Sequence, residues 1–264
     1  MLPGVYTAKK KDGTIYYRSS ITFSGKHISL GSFSSEETAS EAYHQAYTLL
    51  HDPSLTLEMY SETSGVLSFQ KWVVLINFRD NGIYIKTPIY LKNRFFYYYF
   101  EKDDFLTFDI DDLFYYSSRS ITRRGGHLFV ADYGMQVNIL SRYGIKNYAV
   151  VGRDFRFVNG DSRDFRYENI EIINRFHGVS KKEKNGRIYY ETKIHVNGDF
   201  LVGRYKKETE AAVAYNKAAS VLITKGYEKN FPVNYIEELS PAEYHELYKK
   251  ITISKRLQNL TPLP

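Results

Sequence analysis

The stretch from Phe176 to Pro232 decides the fold of this chain, because it reads as one complete small unit. It begins Phe176-His177-Gly178-Val179-Ser180-Lys181-Lys182, continues through Ile188-Tyr189-Tyr190-Glu191-Thr192-Lys193-Ile194-His195-Val196 and closes with Glu208-Thr209-Glu210-Ala211-Ala212-Val213-Ala214-Tyr215. Turns at Asn185-Gly186 and Asn197-Gly198 separate short strand-like runs. Alanines at helical spacing follow them. The pattern predicts a three-stranded antiparallel sheet with one helix packed behind it.

The same pattern opens the chain, so the unit is duplicated. The corresponding positions, with one-residue slips between them, are Gly4/Gly178, Gly13/Gly186, Tyr16-Tyr17/Tyr189-Tyr190, Ile21/Ile194, Gly25/Gly198, Gly31/Gly203 and Ala42-Tyr43/Ala214-Tyr215. A repeat sets the architecture of the whole chain. We therefore predict an α+β fold in which two sheet-plus-helix modules, 1–53 and 175–235, flank a central domain, 54–174, and a C-terminal helix and tail, 236–264, follows.

Composition limits the classes of function and partner that the chain can have. The 264 residues carry a net charge of +6, with a pI near 9.1, which favours a polyanionic partner. From Arg175 to Lys207 there are nine Lys and Arg against three Asp and Glu, and from Val5 to Phe33 five against one; a merely solvated basic face is the alternative. The absence of cysteine excludes disulfides and thiolate metal sites. With no secretion leader and no apolar run of membrane-spanning length, we expect a cytoplasmic protein, nucleoid-associated if bacterial or phage-encoded, and no membrane partner.

The first module shows how the faces are assigned. Residues 15–23 alternate, which places Tyr16, Arg18, Ser20 and Thr22 on a polar face opposite Ile21. Ser34 or Ser35 is expected to cap a helix that ends at His51-Asp52-Pro53.

The central region is less regular. Residues 81–92 are strand-like, an acidic helix-like stretch follows residues 101–104, and residues 115–130 predict an aromatic hairpin that turns at Gly125-Gly126. The carboxylates of this region are Asp103, Asp104, Asp109, Asp111 and Asp112. Paired carboxylates can hold Mg²⁺, but their alternation with aromatic residues predicts a solvated face. Near the C-terminus, Ser240 and Pro241 predict a helix start, and residues 255–264 are expected to be frayed.

The second module resembles the ethylene-response-factor (Apetala-two) DNA-binding domain in Gly178-Val179, Lys193-Ile194-His195, Val202-Gly203-Arg204-Tyr205, the alanine-rich helix and the closing Asn230-Phe231-Pro232. The resemblance implies that the outer face of the sheet lies in the major groove of DNA, which admits a β-ribbon. The family reads DNA with Arg and Trp, and most of the matching positions hold other residues. The DNA-binding residues that it implies are Tyr6, Lys10, Arg18, Ser20, Thr22, His27 and Ser29 in the first module, and Ser180, Lys182, Lys184, Arg187, Lys193 and His195 in the second, with Asp199 and Leu201 nearby.

Residues 155–174 are similar to the core of HNH homing endonucleases that carry an Apetala-two domain. The similarity rests on Asn159, Gly160, Asp164, Arg166 and Asn169. Where that family has an Asp-His pair, this chain has Arg156-Phe157. Phe165 replaces an Asn of the family and Asn138 replaces an earlier His. The family also carries a later Asn on a helix. Because phenylalanine cannot take a proton from water and arginine repels a metal cation, we expect a degenerate HNH-like domain without nuclease activity and without a metal or other cofactor.

The leading hypothesis is a non-catalytic, sequence-preferring double-stranded DNA-binding protein that regulates transcription or a mobile element. Its oligomeric state stays open between a monomer with two modules and a homodimer. A residual metal-dependent nickase using Asn138, Asp154 and Asp161 is the alternative, and a protein-interaction module or DNA mimic is a third.

Overall fold

The computed structural model describes residues 2–61 and 65–261. Within these ranges the architecture is mixed α/β, with small antiparallel sheets, four of them three-stranded and one two-stranded, and few helices. The chain divides into two compact units, Met1–Asn138 with Asp161–Asn169, and Ile139–Gly160 with Ile170–Pro264. Each unit contains one copy of the repeat, and each is described by itself.

The first unit opens with the predicted sheet and helix. Its elements are β1 (Val5–Lys9), β2 (Ile15–Phe23), β3 (Lys26–Phe33) and α1 (Glu36–His51). The three strands pair in sequential order. The hydroxyl of Ser35 accepts a hydrogen bond from the Thr38 N–H at 3.2 Å, which confirms the predicted cap. The predicted end of the helix at His51 is also confirmed.

Further elements complete this unit. They are α2 (Phe69–Asn81), β4 (Ile89–Leu91), β5 (Phe95–Glu101), β6 (Asp104–Asp109), α3 (Leu113–Tyr116), β7 (Ile121–Arg124), β8 (His127–Asp132) and β9 (Met135–Asn138). They form two more sheets, β4-β5-β6 and β7-β8-β9. Helix α2 packs on α1, and Trp72, Leu75 and Ile76 share one buried cluster with Ala46 and Leu49.

The central region departs from two expectations, one of them in part, and meets a third. Asn81 ends a helix and Gly82 caps it with φ +69°, so only Ile89–Leu91 of the strand-like residues 81–92 forms a strand. The first part of the expected acidic helix is strand β6, because Leu106 and Phe108 alternate into the core and β6 pairs with β5. Its second part is helical, since a 3₁₀ turn, Ile110–Asp112, leads into α3. The turn at Gly125-Gly126 is confirmed, since it joins β7 to β8.

The acidic cluster of the central region is not one solvated face. Asp112 is only 1% exposed, so that expectation is wrong for it. The phenol of Tyr167 donates a hydrogen bond to Asp112 at 3.3 Å, and its backbone N–H donates to Asp109 at 2.7 Å. Asp104 is paired with Arg123. These three carboxylates therefore link separate chain segments within the first unit.

The second unit begins with a small hairpin and continues into the second copy of the repeat. Its elements are β10 (Phe155–Phe157), β11 (Ile170–Ile172), β12 (Val179–Lys184), β13 (Arg187–His195), β14 (Asp199–Tyr205), α4 (Glu208–Thr224), α5 (Pro241–Lys250) and α6 (Lys255–Gln258). Ser240 and Glu243 form a reciprocal capping box at the start of α5, as predicted from Ser240-Pro241. The expectation of a frayed tail is wrong for α6, whose Leu257 is fully buried; residues 262–264 lie outside the described residues.

The two copies share backbone geometry as well as sequence. Val5 pairs with Ser19 in the first copy as Val179 pairs with Thr192 in the second. Both sheets also carry a register shift at the same place, between Ser19 and Ser20 and between Thr192 and Lys193. Each shift inserts one extra residue in the third strand, a β-bulge. The two copies therefore have the same strand pairing and the same bulge, in addition to similar sequences.

Candidate nucleic-acid interface

Strand pairing decides which side chains share the outer face of each sheet, the face away from the helix. Directly paired residues point to the same side. Ile21 and Ile28 are buried in the first unit's core beside Ala42, and Ile194 and Val202 lie with Ala214 in the second. The residues between them along each strand therefore face outward.

In the first module, the pairs Tyr6–Arg18, Ser20–Ser29 and Thr22–His27 lie on this outer face. Tyr6, Arg18, Thr22, His27 and Ser29 are exposed, as is Lys10 just beyond β1. Thr22 Oγ1 lies 3.5 Å from His27 Nδ1, and a guanidinium nitrogen of Arg18 donates to the Tyr16 hydroxyl at 2.8 Å. The face is polar and only moderately basic.

Ser20 does not present its hydroxyl as expected, because the residue is only 8% exposed. Its backbone N–H donates to the carbonyl oxygen of Gly4 at 3.0 Å, where the chain enters β1. Lys193 occupies the equivalent position, and its N–H donates to Gly178 in the same way at 2.8 Å. The long side chain of Lys193 extends beyond this backbone contact and is exposed, whereas the short side chain of Ser20 is covered by it. Ser20 is therefore less accessible to a base than the other predicted residues of this face.

In the second module, all six predicted residues lie on the outer face. The pairs are Ser180–Glu191, Lys182–Tyr189, Lys184–Arg187, Lys193–Leu201 and His195–Asp199. All of the predicted residues except the half-buried Ser180 are exposed. In the part of the chain that the structure describes, no carboxylate lies within ion-pair distance of Lys182, Lys184 or Arg187. These three cations are available to a polyanion.

Lys193 and His195 differ from these cations because each has an acidic neighbour. Lys193 Nζ lies 3.5 Å from Glu191, and His195 Nδ1 lies 2.7 Å from Asp199. Burial opposes the ionisation of Glu191, but the hydrogen bond from Arg204 and the charge of Lys193 outweigh it and hold its pKa below the usual value. Glu191 is therefore an anion at neutral pH, in the middle of a basic face.

Arg204 belongs to the outer face, although sequence alternation missed it. Counting by twos from Leu201 selects Gly203, but the bulge shifts the register so that Arg204 pairs with Glu191. Its Nε donates to Glu191 at 3.0 Å. With its neighbours it forms an open cleft of about 660 Å³ beside the β12–β13 turn, lined by Lys184, Asn185, Arg187, Tyr189, Arg204, Tyr205 and Lys206. No carboxylate lines the cleft, so it can accept phosphate groups.

The positions that the resemblance to HNH endonucleases assigns to catalysis have structural partners. Arg156 donates to Glu171 at 2.7 Å across the β10–β11 hairpin, and the ring of Phe157 packs edge-on against Phe155. The helix expected to carry a later Asn is not found in the described residues, where no α-helix lies between β10 and β12. Asn169 lies instead in a 3₁₀ turn.

The retained polar residues of this region build turns. In the first unit, buried Asp164 binds Arg166 at 2.7 Å, and the amide of Asn169 donates to the carbonyl oxygens of Asp161 and Asp164. Phe165, in place of the family's Asn, is buried and stacks on Phe108 at 5.5 Å. These contacts give Asp164, Arg166 and Asn169 structural roles in the turns.

The residues proposed for a nickase belong to different units. Asn138 and Asp161 belong to the first unit and Asp154 to the second. Burial opposes the ionisation of Asp154, but hydrogen bonds from Arg153 and the Val150 N–H lower its pKa below the usual value. Within residues 2–61 and 65–261, no three His, Cys, Asp or Glu side chains are grouped so that they could hold a metal ion.

Comparison with known proteins adds no family name. No family model, no curated protein and no solved structure matches the chain. Over the residues that the structure describes, none of the helices has the length and apolar character needed to cross a membrane.

Proposed function

We propose that this protein is a non-catalytic, sequence-preferring double-stranded DNA-binding protein, with two Apetala-two-like modules and a degenerate HNH-like region. Regulation of transcription or of a mobile element is the use that fits these parts. The observation that carries the proposal is the row of Lys182, Lys184 and Arg187 on the outer face of the second sheet, without carboxylate partners in the described chain.

The dimensions of the sheet support a groove-binding mode. Strands lie about 4.8 Å apart, so three of them span roughly 10 Å, and the major groove of B-DNA is about 12 Å wide. An outer face of this width fits the groove with its side chains directed at base edges. Cations at the β12–β13 turn then lie where the sugar-phosphate backbone borders the groove. Phosphate contacts of this kind position a protein, and base contacts specify its site.

Two modules in one chain support binding with moderate affinity per module. Once one module is bound, the second acts at an effective concentration set by the connection between them. The first module has fewer outward cations, so in this proposal the second module supplies most of the phosphate contacts.

Selection from a pool of random duplexes tests specific binding, and its salt dependence tests the mechanism. We expect an enriched sequence, and an affinity that falls steeply with salt as counterions are released from phosphates. A pool without enrichment at any salt concentration rules out sequence preference. Binding that is insensitive to salt favours a protein partner instead.

The division of roles on the second sheet has its own test. Lys182→Ala or Lys184→Ala should weaken binding to every sequence and flatten the salt slope by about one each, whereas Lys193→Ala or His195→Ala should change which sequence is preferred. Equal effects of all four substitutions on all sequences would contradict this division.

Nuclease activity is tested by incubation with supercoiled plasmid and Mg²⁺ or Mn²⁺. We expect intact plasmid, because Phe157 and Arg156 stand where the family has its Asp-His pair. Metal-dependent nicking that disappears in Asp154→Asn or Asp161→Asn would establish the alternative.

A further inference from the structure

A second cleft lies at the opposite end of the outer face from the β12–β13 turn. It has a volume of about 360 Å³ and brings the strand residues together with a segment that precedes the repeat. Its lining includes Tyr148 and Arg153 from that segment, and Lys182, Lys193 and His195 from β12 and β13. All of these residues belong to the second unit. The proposed DNA-binding face is therefore larger than the repeated module.

Arg153 is held in a fixed position in this cleft. Its Nε lies 3.0 Å and its Nη2 2.6 Å from Oδ2 of Asp154. Asp154 itself is only 7% exposed and accepts the Val150 N–H at 2.9 Å. The amide of Asn174 donates to the carbonyl oxygen of Arg153 at 2.6 Å. Both the backbone and the guanidinium of Arg153 are thus anchored.

The anchored guanidinium still has donors to offer. Arginine has five N–H donors in a planar fork, and Asp154 occupies one side of it. The side chain of Arg153 remains 60% exposed. The other carboxylate of the cleft, Asp199, is hydrogen-bonded to His195 and also attracts the charge of Arg153, without a hydrogen bond to it in the described residues. Arg153 therefore presents an oriented fork beside Lys182 and Lys193.

An oriented fork suits a planar ligand that accepts two hydrogen bonds. In the major groove, the O6 and N7 atoms of guanine form such an edge, and arginine is the side chain that most often recognises it. Because Arg153 is already ordered, it loses less conformational entropy on binding than a free surface arginine does. Lysines on the same cleft can neutralise the adjacent phosphates.

We propose that Arg153 is a sequence-reading residue that recognises guanine in the major groove, positioned by Asp154 and Asn174 from outside the repeated module. This inference rests on the proposed DNA-binding function. The resembled family recognises bases with Arg and Trp on its strands, and most of the matching strand positions in this chain hold other residues. Arg153 would supply an arginine for base recognition from outside the strands.

The experiment is selection from a random duplex pool with the full chain and three variants, followed by titration on the selected site and on a scrambled duplex. Arg153→Ala removes the fork, and Arg153→Lys keeps the charge without it. Arg156→Ala is the matched control, since Arg156 lies in the same unit, is 59% exposed and is likewise paired, with Glu171. Thermal unfolding of each variant verifies that it is folded.

We expect Arg153→Ala to lose between about tenfold and a hundredfold in affinity for the selected duplex, equivalent to one bidentate base contact. Its affinity for the scrambled duplex should change by less than about threefold. Arg153→Lys should lose the guanine preference at one base-pair position but keep the salt slope of the wild type. Arg156→Ala should bind and select as the wild type does.

Three results overturn the inference. One is an equal loss on both duplexes for Arg153→Ala, which makes Arg153 a phosphate contact. Another is retention of the wild-type preference by folded Arg153→Lys or Arg153→Ala, and the third is an equal loss of preference in Arg156→Ala. If the wild-type protein enriches no sequence, the proposed function itself fails, and that result appears before any variant is compared.

Discussion

The two copies of the repeat have the same backbone and different outer faces. In both, a glycine with positive φ, Gly4 at +69° and Gly178 at +72°, lets the chain enter the first strand against a helix tyrosine, Tyr43 or Tyr215. In both, a bulge in the third strand lies at the same place. Features that fix the fold are shared, so the differences between the copies lie where a ligand would bind.

The difference is one of charge and its arrangement. Arg18 on the first sheet occupies the position of Glu191 on the second, and Ser20 occupies the position of Lys193. The second sheet surrounds its buried carboxylate with cations, while the first carries few charges of either sign. The same scaffold therefore carries one strongly and one weakly basic outer face. The following predictions test whether the scaffold is as similar, and the faces as different, as the structure indicates.

The largest effect is expected at the shared glycines. A Cβ atom at Gly4 would lie 2.5 Å from the carbonyl oxygen of Ser20 and against the ring of Tyr43, and one at Gly178 would lie 2.5 Å from the oxygen of Lys193 and against Tyr215. Gly4→Ala and Gly178→Ala should each lower the free energy of unfolding by about 3 kcal/mol or more, since strain and overpacking add. Chemical denaturation measures the change.

Gly25→Ala and Gly186→Ala are the matched controls for these glycines. Both positions have positive φ, but nothing lies within 4 Å of an added Cβ. Only the conformational cost of about 1–2 kcal/mol remains. A similar cost at all four positions would show that the entry to β1 and β12 is not a close approach.

The next effect separates the two faces. Lys182→Ala with Lys184→Ala removes two positive charges from the second sheet, and Lys10→Ala with Arg18→Ala removes two from the first. We expect the second-module pair to weaken DNA binding on the order of a hundredfold, because charge-assisted hydrogen bonds are lost, and the first-module pair by about fivefold or less. Titrations at several salt concentrations measure both changes. Equal losses would mean that the modules share the DNA evenly.

Local sequence signals were sufficient for several turns and helix caps of the chain. The turns at Gly125-Gly126 and Asn185-Gly186, the Ser35 cap and the Ser240 cap depend on residues a few positions apart, and the structure has all of them. Lys182, Lys184 and Lys193 were expected from the resemblance, and strand pairing places all three on the outer face of the second sheet. A period of two or of 3.6 is visible in a single sequence.

What the sequence could not reveal depends on contacts between distant residues. Ser20 is buried by the approach of Gly4, and Arg204 faces outward because of a bulge. The anchoring of Arg153 needs Asn174, which is 21 positions away. The acidic residues around β6 favoured a helix in the sequence. The segment is a strand because its pairing with β5 overrides local propensity. Such features have no periodic signature.

A smaller effect compares equivalent positions inside the two modules. Thr192 is fully buried, and its hydroxyl donates to the carbonyl oxygen of Ala211 at 3.0 Å. Ser19 holds the same position in the first module, but its buried hydroxyl has no hydrogen-bond partner in the described residues. Thr192→Val should cost about 1 kcal/mol of unfolding free energy. Ser19→Ala should cost nothing or stabilise slightly, since it removes an unsatisfied polar group.

Denaturant titration of both variants measures this difference. A marked loss of stability in Ser19→Ala would reveal a partner for the Ser19 hydroxyl, such as a bound water. An equal loss of unfolding free energy in the two variants would contradict the prediction, because it would mean that the Ser19 and Thr192 hydroxyls contribute equally to stability.

The smallest effect concerns His177, at the start of the second module. Its ring lies between Tyr148 and Tyr215, with centroids 4.5 Å and 5.1 Å away. Burial, and then the charge of Arg153, lower the pKa of His177, while Asp154 opposes the shift. The unfolded chain therefore binds a proton at a higher pH, near the usual value of about 6.5, than the folded protein does. Stability from this group is complete above that pH and is lost as pH falls towards the pKa of the folded state.

Unfolding free energies of wild type and His177→Gln, measured from pH 7.5 down to pH 5.5, test this sign. The wild type should lose stability relative to the variant as pH falls, by less than about 1 kcal/mol. Arg153→Ala should reduce the loss, because it removes a positive charge that disfavours protonated His177. A wild type that gains stability relative to His177→Gln on acidification would mean that Asp154 outweighs burial and Arg153. The same measurement thus reports, independently of DNA, how closely Arg153 approaches the entry to the second module.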